Sequence, residues 1–263
     1  MSDRDNMTNK EKISVVIITK NEASNIGQCV ESANFANEIL VLDSGSTDNT
    51  VQLAIDAGAK VIETDWPGFG LQKNRGIDYA GNDWIFSLDA DERISQNLAK
   101  EILSVINKPE FSVFDVPRSS FFISKFMKHS GWSPDRTKRL FKKHAARFTD
   151  HQVHEHLETN QKIGHLKESL IHYSYLDVET VLKKINHYSS AGAIDLVKKG
   201  RKGSLSSAIG HGSWSFIRTY FIKLGFLDGK EGLILAIANA ESSYYKHLKL
   251  YFLQSKKDLD IPN

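Results

Sequence analysis

Cysteine is almost absent from the sequence, because Cys29 is the single cysteine among 263 residues. One cysteine cannot form a disulfide bond within the chain, which excludes the disulfide-stabilised scaffolds of small secreted proteins. This scarcity favours a reducing compartment and a cytoplasmic location. The helical pattern around Cys29 predicts a small buried apolar side chain rather than a catalytic thiol.

Long apolar runs are also missing from the sequence. A helix that crosses a bilayer needs about 20 consecutive apolar residues, and no segment approaches that length. The polar start, residues 1–12, has no apolar core of the kind found in secretory signals. We find no internal repeat and no low-complexity segment. With 40% hydrophobic and 25% charged residues, the composition is that of an ordinary globular protein, which excludes disordered and collagen-like chains.

The charges are distributed unevenly along the chain. Residues 1–110 contain 10 lysines and arginines against 18 acids, whereas the remainder contains 24 against 14. An acidic first part suits metal binding, and a basic second part suits an anionic surface or an anionic substrate. The alternative, that solvated lysines only cover exposed helix faces, is equally compatible with this distribution. We expect no nucleic-acid partner.

Short apolar runs alternate with helical patterns in the first 110 residues. The runs are rich in β-branched residues and predict buried strands, and the patterns between them predict helices. The predicted strands are Ile13–Ile18, Glu38–Leu42, Lys60–Glu63 and Asp83–Leu88. The predicted helices are Ile26–Ala36, Thr50–Ala57, Leu71–Tyr79 and Ser95–Ile106. This alternation predicts an α/β fold with a doubly wound, mainly parallel sheet flanked by helices.

The second part of the chain is less regular. Phe111–Val116 is typical of a strand, and the segments Trp132–Arg139 and Val153–Leu157 combine loop and strand features with many polar side chains. From Asp177 onward the pattern is helical. It predicts a C-terminal helical extension with helices at Val178–Lys199, Ser213–Leu224 and Lys230–Leu253.

Polar clusters follow three of the predicted strands directly. They lie at Thr19–Glu22, Asp43–Asp48 and Asp89–Glu92. Ligands of doubly wound sheets bind at the carboxyl ends of the strands. We therefore expect these three clusters to meet in one binding site.

Two pairs of charged residues suit a metal and a phosphate. Asp89 and Asp91 follow an apolar strand two residues apart, so an extended chain directs both carboxylates to one side. Mg²⁺ and Mn²⁺ prefer oxygen ligands and often complete their coordination with substrate phosphates. Lys73 and Arg75 lie early in a helix after a glycine-rich loop, where cations suit phosphate. The alternatives are acids that cap the next helix and a solvated helix face.

Four ordered segments resemble the successive signatures of the family 2 glycosyltransferases, which have the GT-A fold. They are VVIITKNEASNI, ILVLDSGSTDNT, GFGLQKNRGIDYA and WIFSLDADERIS, and their order and spacing match across residues 13–95. The resemblance implies an inverting transfer from a nucleotide diphosphate sugar, with Mg²⁺ or Mn²⁺ as cofactor.

The resemblance also implies a division of the chain by function. A polar N-terminal tail would comprise residues 1–12, the GT-A catalytic domain residues 13–175, and the C-terminal helical extension residues 176–263. Within the catalytic domain, residues 13–110 would bind the nucleotide sugar and residues 111–175 would bind the acceptor.

Roles for individual residues follow from the same resemblance. The implied donor site consists of Thr19, Asn21, Glu22, Asp43, Ser44, Asp48, Lys73, Arg75 and Asp89. Asp43 would hold the base or ribose, Asp48 would brace its loop, and Asp89 would orient the sugar or ribose. Asp91 would ligate the metal. Ser44 departs from the family pattern, because many members have a second aspartate there that pairs with uracil, and this leaves the nucleotide base open.

Later segments are similar to the lipopolysaccharide inner-core β-1,4-glucosyltransferases. They are SGWSPDRTKRLFKK, VHEHLE, LIHYSYLD and GFLDGKEGL. This similarity implies that glucose moves from UDP-glucose to the heptose region of a lipid A-core acceptor. Related enzymes share these segments, so another sugar or a capsule or glycolipid acceptor is an alternative. A protein that binds sugar nucleotides without catalysis is a further one.

An inverting transfer needs a carboxylate that takes the proton of the acceptor hydroxyl. Family members have an acceptor-side acid where this chain has Glu155, so Glu155 is the expected base and Asp135 is the second candidate. His172 is the expected further metal ligand, because some GT-A enzymes use a late histidine in this role. The ordinary alternatives are a surface acid for Glu155 and a hydrogen-bonded structural histidine for His172.

Three residues of the second part are expected to contact the acceptor. Trp132 would stack on a sugar face, and Arg136 and Arg139 would contact acceptor phosphates. A core aromatic is the alternative for Trp132.

Apolar and basic side chains are mixed in the last helices, for example Trp214 and Phe221 beside Arg218 and Lys223. This composition fits a helix that lies in a membrane interface. We therefore expect a peripheral location on the inner face of a bacterial inner membrane. The alternatives are that these helices only pack on the catalytic domain, or that the whole protein is a membrane-surface interaction protein.

Overall fold

The computed structural model describes residues 10–150 and 155–258. The chain divides into a sheet unit, Met1–Arg118 with Asp135–His172, and a helical unit, Ser119–Pro134 with Tyr173–Asn263. Residues 119–134 thus group with the helices, whereas the limits expected from function grouped them with the catalytic domain. Among the helices of the described ranges, none is both long and apolar enough to span a membrane.

Strands and helices alternate in the sheet unit, and helices dominate the helical unit. The strands of the described residues are β1 Ile13–Thr19, β2 Glu38–Asp43, β3 Lys60–Glu63, β4 Trp84–Asp89, β5 Glu92–Arg93, β6 Val113–Phe122, β7 Lys125–Phe126, β8 Arg136–Lys142, β9 Arg147–Phe148, β10 Leu157–Glu158, β11 Ile163–His165 and β12 Leu170–Tyr175. The helices are α1 Ile26–Ser32, α2 Thr50–Asp56, α3 Phe69–Tyr79, α4 Gln96–Asn107, α5 Val178–Lys198, α6 Leu205–Ile217 and α7 Lys230–Asp258.

Strand β1 lies at the centre of the parallel part of the sheet, because its run of apolar and small residues is buried throughout. It pairs in parallel with β2 on one side and with β4 on the other, and β3 extends the sheet beyond β2. Strand β8 pairs antiparallel with both β4 and β6. The order is β3-β2-β1-β4-β8-β6-β12-β5. The predicted α/β fold with a mainly parallel sheet flanked by helices is confirmed.

The carboxyl ends of β1, β2 and β4 lie side by side. In the parallel registers Thr19 pairs with Asp43, and Ile18 pairs with Asp89. Each strand ends where its apolar run gives way to polar residues. Because the three strands run in parallel and their apolar runs are buried side by side, they end at the same edge of the sheet. The sheet itself therefore gathers the three polar clusters.

Helix α3 packs closely on the sheet at Gly76. A Cβ at this position would overlap Val16 and would lie 3.0 Å from a methyl group of Leu42. The next residue of the same face, Ile77, is fully buried. Residues three and four apart share a helix face, so this packing also directs Lys73 inward.

Cys29 in α1 is fully buried, as predicted. Its thiol lies 3.5 Å from the carbonyl oxygen of Asp89 and donates to it. Burial raises the pKa of the Cys29 thiol far above its ordinary value, so the group stays protonated and is not a nucleophile.

Helices α5, α6 and α7 form the bulk of the helical unit. A separate small apolar core lies in this unit and includes Phe122, Val181, Ile185 and Leu235. Helix α6 approaches α7 closely at Gly212, where an added Cβ would lie 3.1 Å from the Tyr244 Cβ. A short π-helical turn and a 3₁₀ turn connect these two helices.

Two predicted elements of the second part differ from the structure. The helix predicted from Ser213 begins at Leu205 in the structure. Gly210 and Gly212 obscure the helical pattern in the sequence, although Gly212 packs against α7. Of the predicted strand Val153–Leu157, Val153 and His154 lie outside the described residues, and β10 begins at Leu157.

Candidate active site

Thr19 and Ser44 lie next to each other at the ends of β1 and β2. Both are buried, and the Ser44 N–H donates to the Thr19 carbonyl at 3.0 Å. The Thr19 hydroxyl has no hydrogen-bond partner among the described residues. A buried polar group without a partner costs about 1–3 kcal/mol, which marks Thr19 as a point where a ligand or water completes the bonding.

Asp43 fixes the loop that follows β2. It is fully buried, and its carboxylate accepts hydrogen bonds from the backbone N–H groups of Gly45 at 2.9 Å and Ser46 at 2.8 Å. The Ser46 hydroxyl also donates to this carboxylate. Gly45 has a φ of +80°, a conformation in which glycine is favoured. The Asp43 carboxylate therefore holds its own loop in place. Its expected contact with a base or ribose stays a prediction.

Asn21 and Asp48 join the loops that follow β1 and β2. The Asn21 side-chain oxygen accepts from the Thr47 N–H at 2.8 Å, and the Asn21 N–H donates to the Ser46 hydroxyl at 2.8 Å. Asp48 accepts from the Ala23 N–H at 3.2 Å. The hydrogen bond from the Thr50 hydroxyl lowers the pKa of Asp48, which keeps this exposed carboxylate charged. These contacts hold the two loops in one arrangement.

Glu22 lies at the start of the α1 segment. Its backbone N–H donates to the Thr50 hydroxyl at 2.8 Å, and its carboxylate accepts from the Asn25 amide at 2.8 Å. Glu22 thus contributes to the same pair of loops as Asn21 and Asp48.

Gln72 is a site residue that the sequence reasoning missed. It is fully buried in α3, and its amide donates to the Ser44 hydroxyl at 3.0 Å and to the Thr64 hydroxyl at 2.6 Å. Its amide oxygen accepts from Arg75 at 3.2 Å. Gln72 therefore fixes the orientation of the Ser44 hydroxyl.

Seven charged side chains of the sheet unit form a chain of alternating sign, which we call the charge chain. In order of contact they are Glu155, Lys73, Asp89, Arg139, Glu92, Arg118 and Asp135. Lys73 lies 3.3 Å from Glu155 and 3.1 Å from Asp89, and Arg139 pairs with Asp89 and lies 2.7 Å from Glu92. Both expected bases, Glu155 and Asp135, therefore belong to one electrostatic network with Asp89.

The charge chain changes the acidity of its two inner acids in opposite directions. Burial by itself raises the pKa of Asp89, but the charges of Arg139 and Lys73 outweigh it and hold that pKa well below its ordinary value. Burial raises the pKa of Glu92 above its ordinary value, and the charge of Arg139 only partly opposes it. Asp89 thus carries a firm negative charge at the end of β4.

Asp91 and His172 form a pair suited to a divalent cation. The pairing of β12 with β5 places His172 opposite Glu92, and the His172 Nε2 lies 3.3 Å from an Asp91 carboxylate oxygen. Adjacent ligands of an ion with bonds of about 2.1 Å lie about 3 Å apart, so this spacing fits Mg²⁺ or Mn²⁺. Within the described residues no group of three or more potential ligands occurs. Substrate oxygens and water would have to complete the coordination.

Glu155 is held against the start of α3. A Cβ at Gly70 would overlap the Thr149 carbonyl oxygen and lie 3.6 Å from the Glu155 Cβ. The Glu155 side chain is 19% exposed, and Lys73 is its ion-pair partner. The missing side chain of Gly70 therefore leaves room for the Thr149 carbonyl beside α3.

The two arginines expected to contact the acceptor, Arg136 and Arg139, differ in their exposure to solvent. Arg139 is 3% exposed and paired with Asp89 and Glu92, so its expected contact with acceptor phosphates stays a prediction and would require these ion pairs to open. Its side chain is buried because β8 pairs with β4 and brings Arg139 beside the end of β4. Arg136 lies 2.6 Å from Asp115 and stays partly exposed.

Two further expected site residues lie outside the charge chain. Arg75 lies 2.8 Å from the exposed Asp65. Trp132 belongs to the helical unit, where it stacks on Tyr175 with ring centroids 5.8 Å apart and meets the edge of Phe122. The core contacts expected as the alternative for Trp132 are thus present in that unit.

Comparison with known proteins gives a family match and several related chains. The family model described as Glycosyl transferase family 2 matches residues 14–163. An uncharacterized glycosyltransferase of Rickettsia felis is 34% identical over 91% of this chain and 89% of its own length. The lipopolysaccharide core biosynthesis glycosyltransferase LpsC of Rhizobium meliloti is 29% identical over 92% of this chain and 95% of its own length.

Similarity to solved structures covers less of the chain. A crystal structure of glucosyl-3-phosphoglycerate synthase from Mycobacterium tuberculosis, in complex with Mn²⁺ and uridine diphosphate, is 27% identical with a TM-score of 0.36. The matched part covers 43% of this chain and 44% of that chain, which is less than half of each.

The sheet order and the polar strand ends define an α/β protein with a mainly parallel sheet, a class in which ligands bind at the carboxyl edge of the sheet. The family model covers more than half of the chain, and the chain belongs to glycosyl transferase family 2. Its fold is the GT-A fold. The family and the fold that the sequence resemblance implied are therefore confirmed.

Proposed function

We propose that the protein is a metal-dependent, inverting glycosyltransferase that moves glucose from UDP-glucose to the heptose region of the lipopolysaccharide inner core. The observation that carries this proposal is the meeting of Thr19, Ser44 and Asp89 at neighbouring strand ends. Membership of the family supports glycosyl transfer, and the relative LpsC, whose name refers to lipopolysaccharide core biosynthesis, supports the acceptor class.

The nucleotide would lie over the ends of β1 and β2. The Ser44 hydroxyl accepts from Gln72, so its own proton is available to a carbonyl oxygen of a base such as uracil. The buried Thr19 hydroxyl, which has no partner among the described residues, would gain a bond from the nucleotide. Asn21, Glu22 and Asp48 would keep the surrounding loops in place, and Asp43 would do so for its own loop.

The diphosphate would lie near Asp91 and Lys73. Asp91 and His172 would hold a Mg²⁺ or Mn²⁺ ion. Asp89 is the third expected ligand and would also orient the sugar or ribose. When bound, such an ion neutralises charge that develops on the leaving diphosphate. Lys73 adds a positive charge from the protein itself, and we expect Arg75 to contribute at the rim of the site.

Glu155 is the proposed general base, and Asp135 is the second candidate. The acceptor oxygen would form its bond to the anomeric carbon on the face opposite the diphosphate. The bond from that carbon to the diphosphate oxygen breaks, and its electron pair leaves with the diphosphate. The Glu155 carboxylate takes the proton of the acceptor hydroxyl. Lys73, 3.3 Å away, would hold this carboxylate in position until the donor binds, and correct positioning of the two substrates would supply much of the rate.

The acceptor and the location complete the proposal. Arg136 would contact acceptor phosphates in competition with Asp115, and Trp132 would stack on an acceptor sugar. A lipid A-core acceptor requires a cytoplasmic enzyme that works peripherally at the inner face of the inner membrane.

A screen of nucleotide sugars tests the proposal. Purified protein is incubated with each candidate donor and Mg²⁺ or Mn²⁺, donor hydrolysis is measured, and the preferred donor is then offered to truncated core acceptors with and without heptose. We expect UDP-glucose to be used and transfer to require heptose. The Asp56→Asn variant, which changes an exposed acid of α2 outside the proposed site, serves as a control that keeps activity. Full activity in a chelator, or hydrolysis of no donor, would contradict the proposal.

A further inference from the structure

The connection between α6 and α7 exposes many large apolar side chains. We call the segment Trp214–Lys230 the apolar turn. Seven of its apolar residues are each between 43% and 56% exposed: Trp214, Ile217, Phe221, Ile222, Leu224, Phe226 and Leu227. Monomeric soluble proteins rarely expose contiguous apolar patches of this kind without an interaction partner.

The exposed charges of the apolar turn are all positive. Its cations are Arg218, Lys223 and Lys230, and each of them is exposed. Its single acid, Asp228, is 1% exposed and accepts hydrogen bonds from the His129 N–H at 2.9 Å and the Ser130 hydroxyl at 3.0 Å. Within this fully described segment, therefore, no carboxylate faces solvent.

The backbone of the apolar turn is held firmly in place. The Lys223 carbonyl accepts from the Ser130 N–H at 2.7 Å. Gly225 is packed so tightly that an added Cβ would lie 2.7 Å from the Thr219 carbonyl oxygen. The exposed apolar groups are thus presented by a fixed backbone.

An apolar cavity continues this surface along α6 and α7. Its volume is about 550 Å³, and its lining includes Phe216 and Ile217 from the apolar turn together with Ile237 and Tyr244 from α7. The lining is mostly apolar, and Ser213 and Glu241 also belong to it. A hydrocarbon chain that enters the surface at the turn would contact the apolar part of this lining.

We propose that the apolar turn inserts into the surface of an anionic lipid bilayer. Aromatic and aliphatic groups enter the boundary between headgroups and acyl chains, while neighbouring arginine and lysine side chains bind anionic headgroups. A second copy of the chain fits this surface less well, because a two-fold interface uses the same patch of both copies and would place two positively charged surfaces against each other. The inference deepens the peripheral location in the proposed function, but lipid binding does not depend on glycosyl transfer.

Vesicle binding of the full chain tests this surface. Vesicles of phosphatidylcholine with and without phosphatidylglycerol are sedimented with the protein at low and high salt. We expect binding to vesicles that contain phosphatidylglycerol, and weaker binding as salt rises. Arg218→Glu should weaken binding at least about fivefold, and Phe221→Ser about tenfold. The matched controls, Lys183→Glu and Ile194→Ser, change exposed residues of α5 and should bind as the wild type.

Fluorescence gives a second measurement of insertion. Lipids with brominated acyl chains should quench the emission of Trp214, and the quenching should disappear in Trp214→Phe. Equal binding to both kinds of vesicle, or equal loss in the α5 controls, would overturn the proposal. Self-association that Phe221→Ser abolishes, without vesicle binding, would overturn it in favour of a second copy. Transfer to a soluble, delipidated acceptor is measured in parallel, so that failure of the proposed function is distinguished from failure of lipid binding.

Discussion

The Lys73 ammonium lies 3.3 Å from the Glu155 carboxylate, and the lysine is almost completely buried. The same ammonium also lies 3.1 Å from Asp89, so one cation joins the proposed base to the acid at the end of β4. A diphosphate that attracts Lys73 would release the Glu155 carboxylate and make it more available to a proton. The contact therefore couples occupation of the donor site to the readiness of the proposed base.

Replacing Glu155 with glutamine should remove the base and keep the fold. We expect Glu155→Gln to lower turnover about 10²- to 10⁴-fold, because general base catalysis is lost. Donor affinity should stay the same or improve, since Lys73 loses a competing partner. The Asp135→Asn variant is the matched test of the second candidate and should keep most of the turnover. Steady-state kinetics with the donor and the acceptor varied in turn distinguishes the two candidates. A larger loss of turnover in Asp135→Asn than in Glu155→Gln would identify Asp135 as the base.

Replacing Gly70 with alanine should disturb Glu155 from a distance. The added Cβ would overlap the Thr149 carbonyl oxygen, so Thr149 must move, and its hydrogen bonds with His156 would pass the shift to the neighbouring Glu155. We expect at least a tenfold loss of turnover, of about 1.4 kcal/mol in activation free energy. Gly27→Ala is the control, because a Cβ at Gly27 in α1 has nothing within 4 Å. That variant should gain up to about 1 kcal/mol in unfolding free energy and keep its activity. Unchanged kinetics in Gly70→Ala would show that Glu155 does not need this packing.

Replacing His172 with alanine should weaken metal binding more than it lowers turnover at saturating metal. Loss of one of the proposed protein ligands should raise the Mn²⁺ concentration for half-maximal activity at least about tenfold. Saturating Mn²⁺ should restore part of the turnover. The control is His144→Ala, which changes an exposed histidine 3.7 Å from Asp83. If both variants and the wild type need the same Mn²⁺ concentration for half-maximal activity, His172 is not a metal ligand.

The depressed pKa of Asp89 predicts a pH-dependent contribution to stability. Because the folded pKa lies below the unfolded one, the unfolded chain binds more protons as the pH falls, and the stabilisation is lost. The contribution should be complete above the unfolded pKa of about 3.9 and should shrink below it. Asp89→Asn should therefore lose about 1–3 kcal/mol of unfolding free energy near neutral pH, and less in acid.

Urea unfolding of Asp89→Asn and the wild type across this pH range measures the effect. The control is Asp78→Asn, which removes an exposed acid paired with Arg147 and should change stability by less than about 1 kcal/mol. A loss in Asp89→Asn that is equally large in acid and at neutral pH would contradict the electrostatic explanation.

The first half of the fold was predictable because its signals are local. The apolar runs that became β1, β2 and β4 are continuous, and polar residues follow each of them directly. Parallel pairing then brings Thr19, Asp43 and Asp89 to one edge without further information. The contact between Asp91 and His172, the proposed metal ligands, gave no local signal, because the two residues lie far apart in the sequence and meet through the pairing of β12 with β5. Only the family resemblance suggested that they act together.

The charge chain was not predictable from local patterns. An arginine is ordinarily exposed, so nothing in the local sequence indicates that Arg139 is buried. Its burial follows from the antiparallel pairing of β8 with β4, and this pairing depends on contacts between residues far apart in the sequence. Gln72 gave no signal either, because a glutamine in a helix is ordinarily exposed. The start of α6 was missed since Gly212 lowers helix propensity although it permits the contact with α7.

The most direct test of the central claim is the binding of Mn²⁺ in the presence of uridine diphosphate, measured by electron paramagnetic resonance on wild type and Asp91→Ala. The account predicts that the wild type binds the ion together with the diphosphate, and that Asp91→Ala stays folded by circular dichroism but loses this binding. Equal binding of Mn²⁺ and diphosphate by the two proteins would contradict a cation site at the end of β4.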